Sequence, residues 1–394
     1  MSTTEIVFLS AARTAIGDFG GALKDVPPTA LGALVAKEAI ARAGLTGADI
    51  GHAVIGHVIH TEPRDMYISR VVAMEAGVPK EAPAMTVNRL CGSGLQAILS
   101  AAQIIKLGDA DIALAGGAES MSRAGYLMPG ARWGQKMGAL GLVDMMVGAL
   151  SDPFGNGHMG ITAENVSDRY DISREAQDAA AVESHQRAAA AIADGRFKDQ
   201  IVPVEISSRK GPVVFDTDEH VRKDVVAGDM SKLRAVFKKD GSVTAGNASG
   251  LNDGAAAVVL ASAEEAGKRG LKPLARLVSY GLAGVDPTEM GMGPVPAVKI
   301  ALAKAGLTAA DMDVIESNEA FAAQACAVSK VLGLDPAKVN PNGGAIALGH
   351  PVGATGAILT VKIIHELHRT GGRYGLVTMC IGGGQGIAMV IERV

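Results

Sequence analysis

The sequence predicts a layered α/β fold made of two copies of one unit, with a foreign segment inserted in the first. Three observations carry this. "RAGLTGADI" at 42 to 50 recurs as "KAGLTAADM" at 304 to 312, and "AILSAAQII" at 97 to 105 recurs as "AILTVKII" at 357 to 364. Both pairs keep their order at an offset of about 260 residues, the mark of duplication. Within each copy, helical patterns of about 10 to 15 residues alternate with short apolar runs, which predicts largely parallel strands.

The elements follow in order. "EIVFLSAARTAIG" is a strand-like apolar run, and with an early acidic residue and no basic n-region the N-terminus does not read as a signal peptide. An Ala-rich helical run ends at "RAGLTGADI" and passes into a short β-branched strand. "TVNRLCGSGLQAILSAAQII" reads as a strand, a sharp turn at Cys91-Gly92-Ser93-Gly94 and a helix; "DIALAGG" is the next strand. From 121 to 250 the character changes: this stretch holds the only Trp (Trp133), a Met-rich run and the charged segment "SRKGPVVFDTDEHVRKD". It reads as an insertion. "LNDGAAAVVLAS" at 251 to 262 returns the chain to the first sheet, so the first half is 1–120 completed by 251–271. The second half, 272–394, repeats the pattern: "ESNEAFAAQ" passes from strand end to helix, "GHPVGATG" is a turn, and "YGLVTMCIGGG" is the final strand with a Gly-rich turn.

Composition bounds the function. Thirty-seven Lys plus Arg against 41 Asp plus Glu give a net charge of −4 with no dense basic block, so no nucleic-acid partner is expected. Hydrophobic residues reach 48%, yet no uninterrupted apolar run is long enough to cross a bilayer, so a soluble protein without a membrane partner is expected. Three cysteines cannot staple 394 residues and fit a reducing compartment. The ending "MVIERV" is no retention or peroxisomal address, which leaves the cytoplasm as the expected location. Fifty glycines against 3% aromatics point to tight turns and to backbone packed close to a ligand.

Chemistry concentrates at three turns. Cys91 stands at a helix start, where unpaired amides and the helix dipole are expected to lower a thiol pKa from about 8.5 toward neutrality. Small neighbours leave room for a carbonyl to reach the sulfur. The repeat offset maps Cys91 onto position 351, beside His350, so the two turns should meet and pair a thiol with a base. Pro351 reads as a first helical position. Cys380 ends the last apolar strand, where a second thiol could move a proton while Gly382 and its neighbours offer amides to an oxyanion. Asn318 is either a helix cap or a polar group reaching the same cleft. "GGGQG" does not match G-x-G-x-x-G, and no Walker A sequence occurs. Cys326 reads as a small core residue, His52, His57 and His60 as a solvated strand edge, and His158 alone cannot build a metal site, so no metal is expected.

These motifs, "NRLCGSGLQAI", "GGAESMS", "HMGITAEN", "TAGNASGLNDGAAAV", "NEAFAAQ", "NPNGGAIALGHPVGATG" and "CIGGGQG", make the whole chain resemble a thiolase. The resemblance is closest to bacterial short-chain β-ketothiolases, including those supplying polyhydroxyalkanoate synthesis. It implies an αβαβα core with an inserted loop domain, and reversible condensation of acetyl-CoA with a short acyl-CoA to a 3-ketoacyl-CoA. Coenzyme A thioesters would be substrates, with no cofactor, and a homodimer or homotetramer is implied. Cys91 would be the acylated nucleophile, His350 its base, and Cys380 the acid/base at the α-carbon. Asn318, through a water, would join His350 in one oxyanion hole; the amides of Cys91 and Gly382 would form another. Coenzyme A would meet Ser249, Arg222, Phe237, Ala245, His158 and Met159, while Phe321 and Met290 would line the acyl end. Rival readings are a ketoacyl synthase or hydroxymethylglutaryl-CoA synthase, against which Cys380 and "GNASG" weigh, and a non-catalytic acyl-CoA or sterol carrier, against which the intact Cys91, His350 and Cys380 weigh.

Overall fold

The computed structural model describes residues 4–209 and 211–394; residues 1–3, which open the N-terminal segment, and Lys210 of the charged insertion segment lie outside the described residues. Among the described residues nine strands form one sheet path: β1 (Ile6–Thr14), β2 (His52–Gly56), β3 (Ala84–Val87), β4 (Ile112–Ser120), β5 (Asn252–Ser262), β6 (Ala275–Gly284), β7 (Val314–Ser317), β8 (Tyr374–Ile381) and β9 (Gln385–Arg393). Their order across the sheet is β7-β8-β9-β6-β1-β5-β4-β2-β3. The helices that matter for the site are α1 (Pro28–Arg42), α2 (Ile68–Glu75), α3 (Ser93–Leu107), α4 (Met159–Arg169), α5 (Arg174–Ala193), α6 (Pro294–Ala305), α7 (Ala322–Leu332) and α8 (Thr355–Thr370).

The duplication reaches single atoms. Read outward from the β1–β6 junction, β1-β5-β4-β2 matches β6-β9-β8-β7, and an isolated bridge between Ile315 and Val339 stands where β3 stands in the first copy. Both leading strands shift register at the same place, between Phe8 and Ser10 in β1 and between Leu277 and Ser279 in β6. The serine beyond each shift donates its hydroxyl to a helix carbonyl, Ser10 to Ala39 at 2.6 Å and Ser279 to Ala301 at 2.7 Å. Thr46 with Asp49, and Thr308 with Asp311, close identical reciprocal caps. Helices α3 and α8 both stop at a left-handed glycine, Gly108 (φ 84°) and Gly371 (φ 74°), a conformation that would strain any residue with a Cβ.

Strand direction departs from the expected largely parallel sheet. β2 runs parallel to β3 and β4, and β7 to β8, but every pair linking β8, β9, β6, β1, β5 and β4 is antiparallel. β8 and β9 are joined by a tight Gly382–Gly384 turn, which allows only an antiparallel pair, and β5 arrives from the insertion instead of from a crossover helix.

Packing arranges these elements in five layers. Leu95, Ile98 and Leu99 of α3 and Ile358, Val361 and Ile364 of α8 share one core with Val54, Ala115 and Val258 of one half sheet and Val377, Met379 and Met389 of the other. On the outer face of the first half lie α1 and α2 through Leu31, Val35, Ile68 and Val72. Ala297, Val298 and Ala301 of α6 cover the second. The stretch Leu90–Leu107 has the length and composition of a membrane span, yet it is the central core helix: Leu95, Ile98 and Leu99 are fully buried between the two half sheets. Between β4 and β5 the chain leaves the sheet path and forms α4 and α5. A fully buried ion pair anchors this excursion, Arg13 Nη1 on β1 reaching Asp218 Oδ1 at 2.7 Å and Nη2 reaching Oδ2 at 2.9 Å.

Candidate active site

Cys91 sits in the turn between β3 and α3. Leu90, just before it, takes a left-handed φ of 44°, a conformation costing a bulky residue on the order of 1–3 kcal/mol. Ser93 holds the turn: its hydroxyl donates to the Leu90 carbonyl at 2.6 Å and accepts from the Arg89 amide at 2.9 Å. The strained turn presents the sulfur at the end of α3 where α8 crosses. At that crossing Gly94 and Gly356 bring backbone onto backbone; a Cβ on Gly94 would lie 2.7 Å from the Ala357 nitrogen, and one on Gly356 2.3 Å from that of Leu95.

His350 reaches the same place from the second copy. Its amide donates to Asn252 Oδ1 at 2.8 Å, and its Nδ1 lies 2.6 Å from Thr355 Oγ1. Its Nε2 faces Asn318 Nδ2 at 3.5 Å. Asn318 is fully buried with its Oδ1 unpartnered among the described residues. It is not a helix cap, because α7 starts at Ala322 with Phe321 ahead of it; it lies beside His350 and is not itself part of the cavity lining. Nor does Pro351 begin a helix, since α8 starts at Thr355.

Cys91, His350 and Gly382 line one small cavity together with Val58, Leu90, Ala149, Leu150, Met159, Ser249, Met290, Ala320, Phe321 and Val352. Cys380, fully buried at the end of β8, packs with Met159, Met290, Ala320 and Phe321 of that lining, and the Cys91 charge acts on it. A Cβ on Gly382 would sit 2.9 Å from Leu90 Cδ1, so a larger residue there would push the Leu90 side chain aside. A larger hollow behind residues 317–319, lined by Ser184, Glu319, Cys326 and Asn340, contains neither Cys91 nor His350. Cys326 is half-buried there and not in the core proper.

The electrostatics correct one expectation. Burial pushes the Cys91 thiol up to about 11; the Gly382 and Cys91 amides pull the other way, and the nearby Glu119 adds to the rise. The helix dipole does not win, because desolvation of a thiolate in an apolar cavity outweighs a few amides. Burial likewise lowers His350 to about 4 and raises Cys380. Both partners of the thiol–imidazole pair are therefore neutral at rest.

The other expected contacts divide. Ser249, Met159, Met290 and Phe321 line the cavity. His158 stacks on Phe237 at 4.7 Å and Phe237 meets Phe321 edge-on at 6.1 Å, forming the wall behind it. Arg222 and Ala245 are exposed and do not line it. Sequence reasoning missed Val58, Leu150 and Val352, which carry no chemical signature, and it missed Glu119. That buried carboxylate accepts the amides of Val58, Ile59 and Gly353 at 3.1, 3.1 and 2.9 Å, tying two cavity loops together. His57 is no solvated edge: it is buried, with Nδ1 2.8 Å from the Ala118 carbonyl and 3.2 Å from Glu119 Oε1.

Comparisons with known proteins identify the family. The thiolase N-terminal domain family matches residues 6–264 and the thiolase C-terminal domain family residues 271–393. The chain is 70% identical to a protein named beta-ketothiolase BktB from Cupriavidus necator, covering 100% of both chains. It is 52% identical to an acetyl-CoA acetyltransferase of Syntrophomonas wolfei over 99% of each. The crystal structure of human mitochondrial 3-ketoacyl-CoA thiolase superposes with a TM-score of 0.98 at 44% identity, covering 100% of both. With family matches over both halves and a duplicated core that delivers a cysteine and a histidine to one cavity, the chain belongs to the thiolases and is an acyltransferase.

Proposed function

We propose that the chain joins acetyl-CoA to a short acyl-CoA, giving a 3-ketoacyl-CoA such as acetoacetyl-CoA, and runs the reverse thiolysis, with Cys91, His350 and Cys380 carrying the chemistry. The observation that carries this is the shared cavity of Cys91, His350 and Gly382, with Cys380 packed against its lining. As the Cys91 sulfur attacks the thioester carbonyl, its proton moves to His350 Nε2, and the amides of Cys91 and Gly382 receive the oxyanion. The coenzyme A thiolate leaves and takes a proton from Cys380. The imidazolium now present favours the Cys380 thiolate that burial alone disfavours.

A second acetyl-CoA then gives its α-proton to Cys380, while His350 Nε2–H and Asn318 hold the enolate oxygen. The enolate carbon attacks the acyl carbon and the bond to Cys91 breaks. The released thiolate recovers its proton from His350. Protons balance over the cycle, and two thiols are required because the first is occupied as a thioester when the second acts.

The inserted segment 121–250 is assigned to coenzyme A, with His158, Met159, Phe237 and Ser249 nearest the cavity and Arg222 and Ala245 at the surface. The small apolar lining supports short acyl chains. A homo-oligomer, dimer or tetramer, in the cytoplasm belongs to the same reading; exposed Trp133 (87%) and Met137 (88%) support the association.

Incubation with acetyl-CoA followed by peptide mass spectrometry tests the roles. The acetyl group is expected on Cys91. Cys380→Ser should retain formation of that acyl-enzyme far better than condensation, which should fall by about 10²-fold or more. Acetylation elsewhere, or equal loss of both half-reactions, overturns the assignment.

A further inference from the structure

Thr355 opens α8 and is almost fully buried. Its Oγ1 lies 2.6 Å from His350 Nδ1 and donates to the Pro351 carbonyl at 2.9 Å, the usual back-bond of a helical threonine. A hydroxyl has one proton; once that is given to the carbonyl, the oxygen can only accept from the imidazole. On the other side of the ring, Nε2 faces the amide nitrogen of Asn318, which can only donate. Both contacts favour the same arrangement, a proton on Nδ1 and a lone pair on Nε2. The His350 amide, held by Asn252 Oδ1 at 2.8 Å, fixes the backbone from which the ring projects.

We propose that Thr355 is a positioning residue that fixes His350 as the Nδ1–H tautomer, so that Nε2 is always the atom free to take the Cys91 proton. This rests on His350 being the base. The partner is a neutral hydroxyl where many hydrolytic triads use a carboxylate. A carboxylate would hold the imidazolium and slow its return to neutrality; a hydroxyl orients the ring while leaving the proton easy to hand back at the end of each half-reaction. The chemistry is unchanged: the S–H bond of Cys91 breaks, an Nε2–H bond forms, and the Nδ1–H bond to Thr355 persists throughout.

Two readouts test it. In wild-type enzyme with ¹⁵N-labelled histidine, the His350 signal, identified by its loss in His350→Ala, should be that of a single Nδ1–H tautomer. Thr355→Val, which keeps shape and removes the hydroxyl, should give a tautomer mixture and slow single-turnover acetylation of Cys91 by about 10- to 100-fold, part of the 10²–10⁴ a positioned base supplies. Thr355→Ser should restore both. A wild-type signal from the Nε2–H tautomer overturns the proposal without any variant having to fold. So does Thr355→Val acetylating at the wild-type rate while His350→Ala does not. Full acetylation in His350→Ala would instead remove the base assignment itself.

Discussion

At Cys91 two opposing effects meet on one sulfur: amides of the α3 turn and of Gly382 favour the thiolate, and the apolar cavity disfavours it more. The outcome has a kinetic signature. With the thiol raised to about 11 and His350 lowered to about 4, thiolate forms only when a proton is taken in the course of attack. Alkylation of Cys91 by iodoacetamide should therefore rise with pH from 7 to beyond 9 without a plateau, because the thiolate fraction grows until pH approaches the raised value. A preformed thiolate–imidazolium pair would instead react at a constant rate from mildly acid pH upward, and that profile would contradict the neutral resting state. That Cys91 and His350 meet at one cavity was legible in the sequence because they stand at corresponding turns of a repeat; Cys380, which packs against that lining, drew notice as a second thiol ending the last strand. Thr355 and Glu119 were not: a threonine in a helix and a glutamate after a strand are ordinary, and only folding shows that one faces an imidazole and the other three amides.

The α3–α8 crossing turns the repeat into a site. Since the two helices approach through Gly94 and Gly356, any side chain there must push apart the ends that carry Cys91 and His350. Gly356→Leu is expected to cost roughly 1–3 kcal/mol of stability from overpacking. It should also lower kcat by more than tenfold, because a shift of about 1 Å in a reacting pair is enough for a large loss. Steady-state kinetics beside a denaturation curve will check this; a destabilised protein with unchanged kcat would show that the crossing does not set the pair's geometry. The glycine excess predicted close backbone approach, and this crossing is one place where it occurs. Strand direction was not legible from helix–strand alternation, because what decides it is the short Gly382–Gly384 turn and the route of the chain through the insertion.

Across the whole molecule, the two copies are not independent bodies joined by a linker. Among the described residues their half sheets pair where Val7 meets Arg276 and Phe8 meets Ala275, a seam too short to hold them. The central layer holds them instead, and it belongs to both: Leu95 and Ile98 from one copy and Ile358, Met379 and Ile387 from the other close a single core. Separating the copies would strip α8 of one of its two covering faces, and each buried Leu or Ile returned to water costs about 1.5–3 kcal/mol. A fragment of residues 272–394 alone should therefore lack a cooperative thermal transition and bind hydrophobic dyes, as should residues 1–271. Expressed together, the two fragments should copurify and recover acetyl transfer, because the surfaces they bury against each other are complementary and complete the Cys91–His350 pair. Cooperative unfolding of the second fragment by itself, with ordered aromatic signals in near-ultraviolet circular dichroism, would show that the shared layer is dispensable. The active site would then be an interface between two finished domains, with a geometry set by their docking and not by a common core.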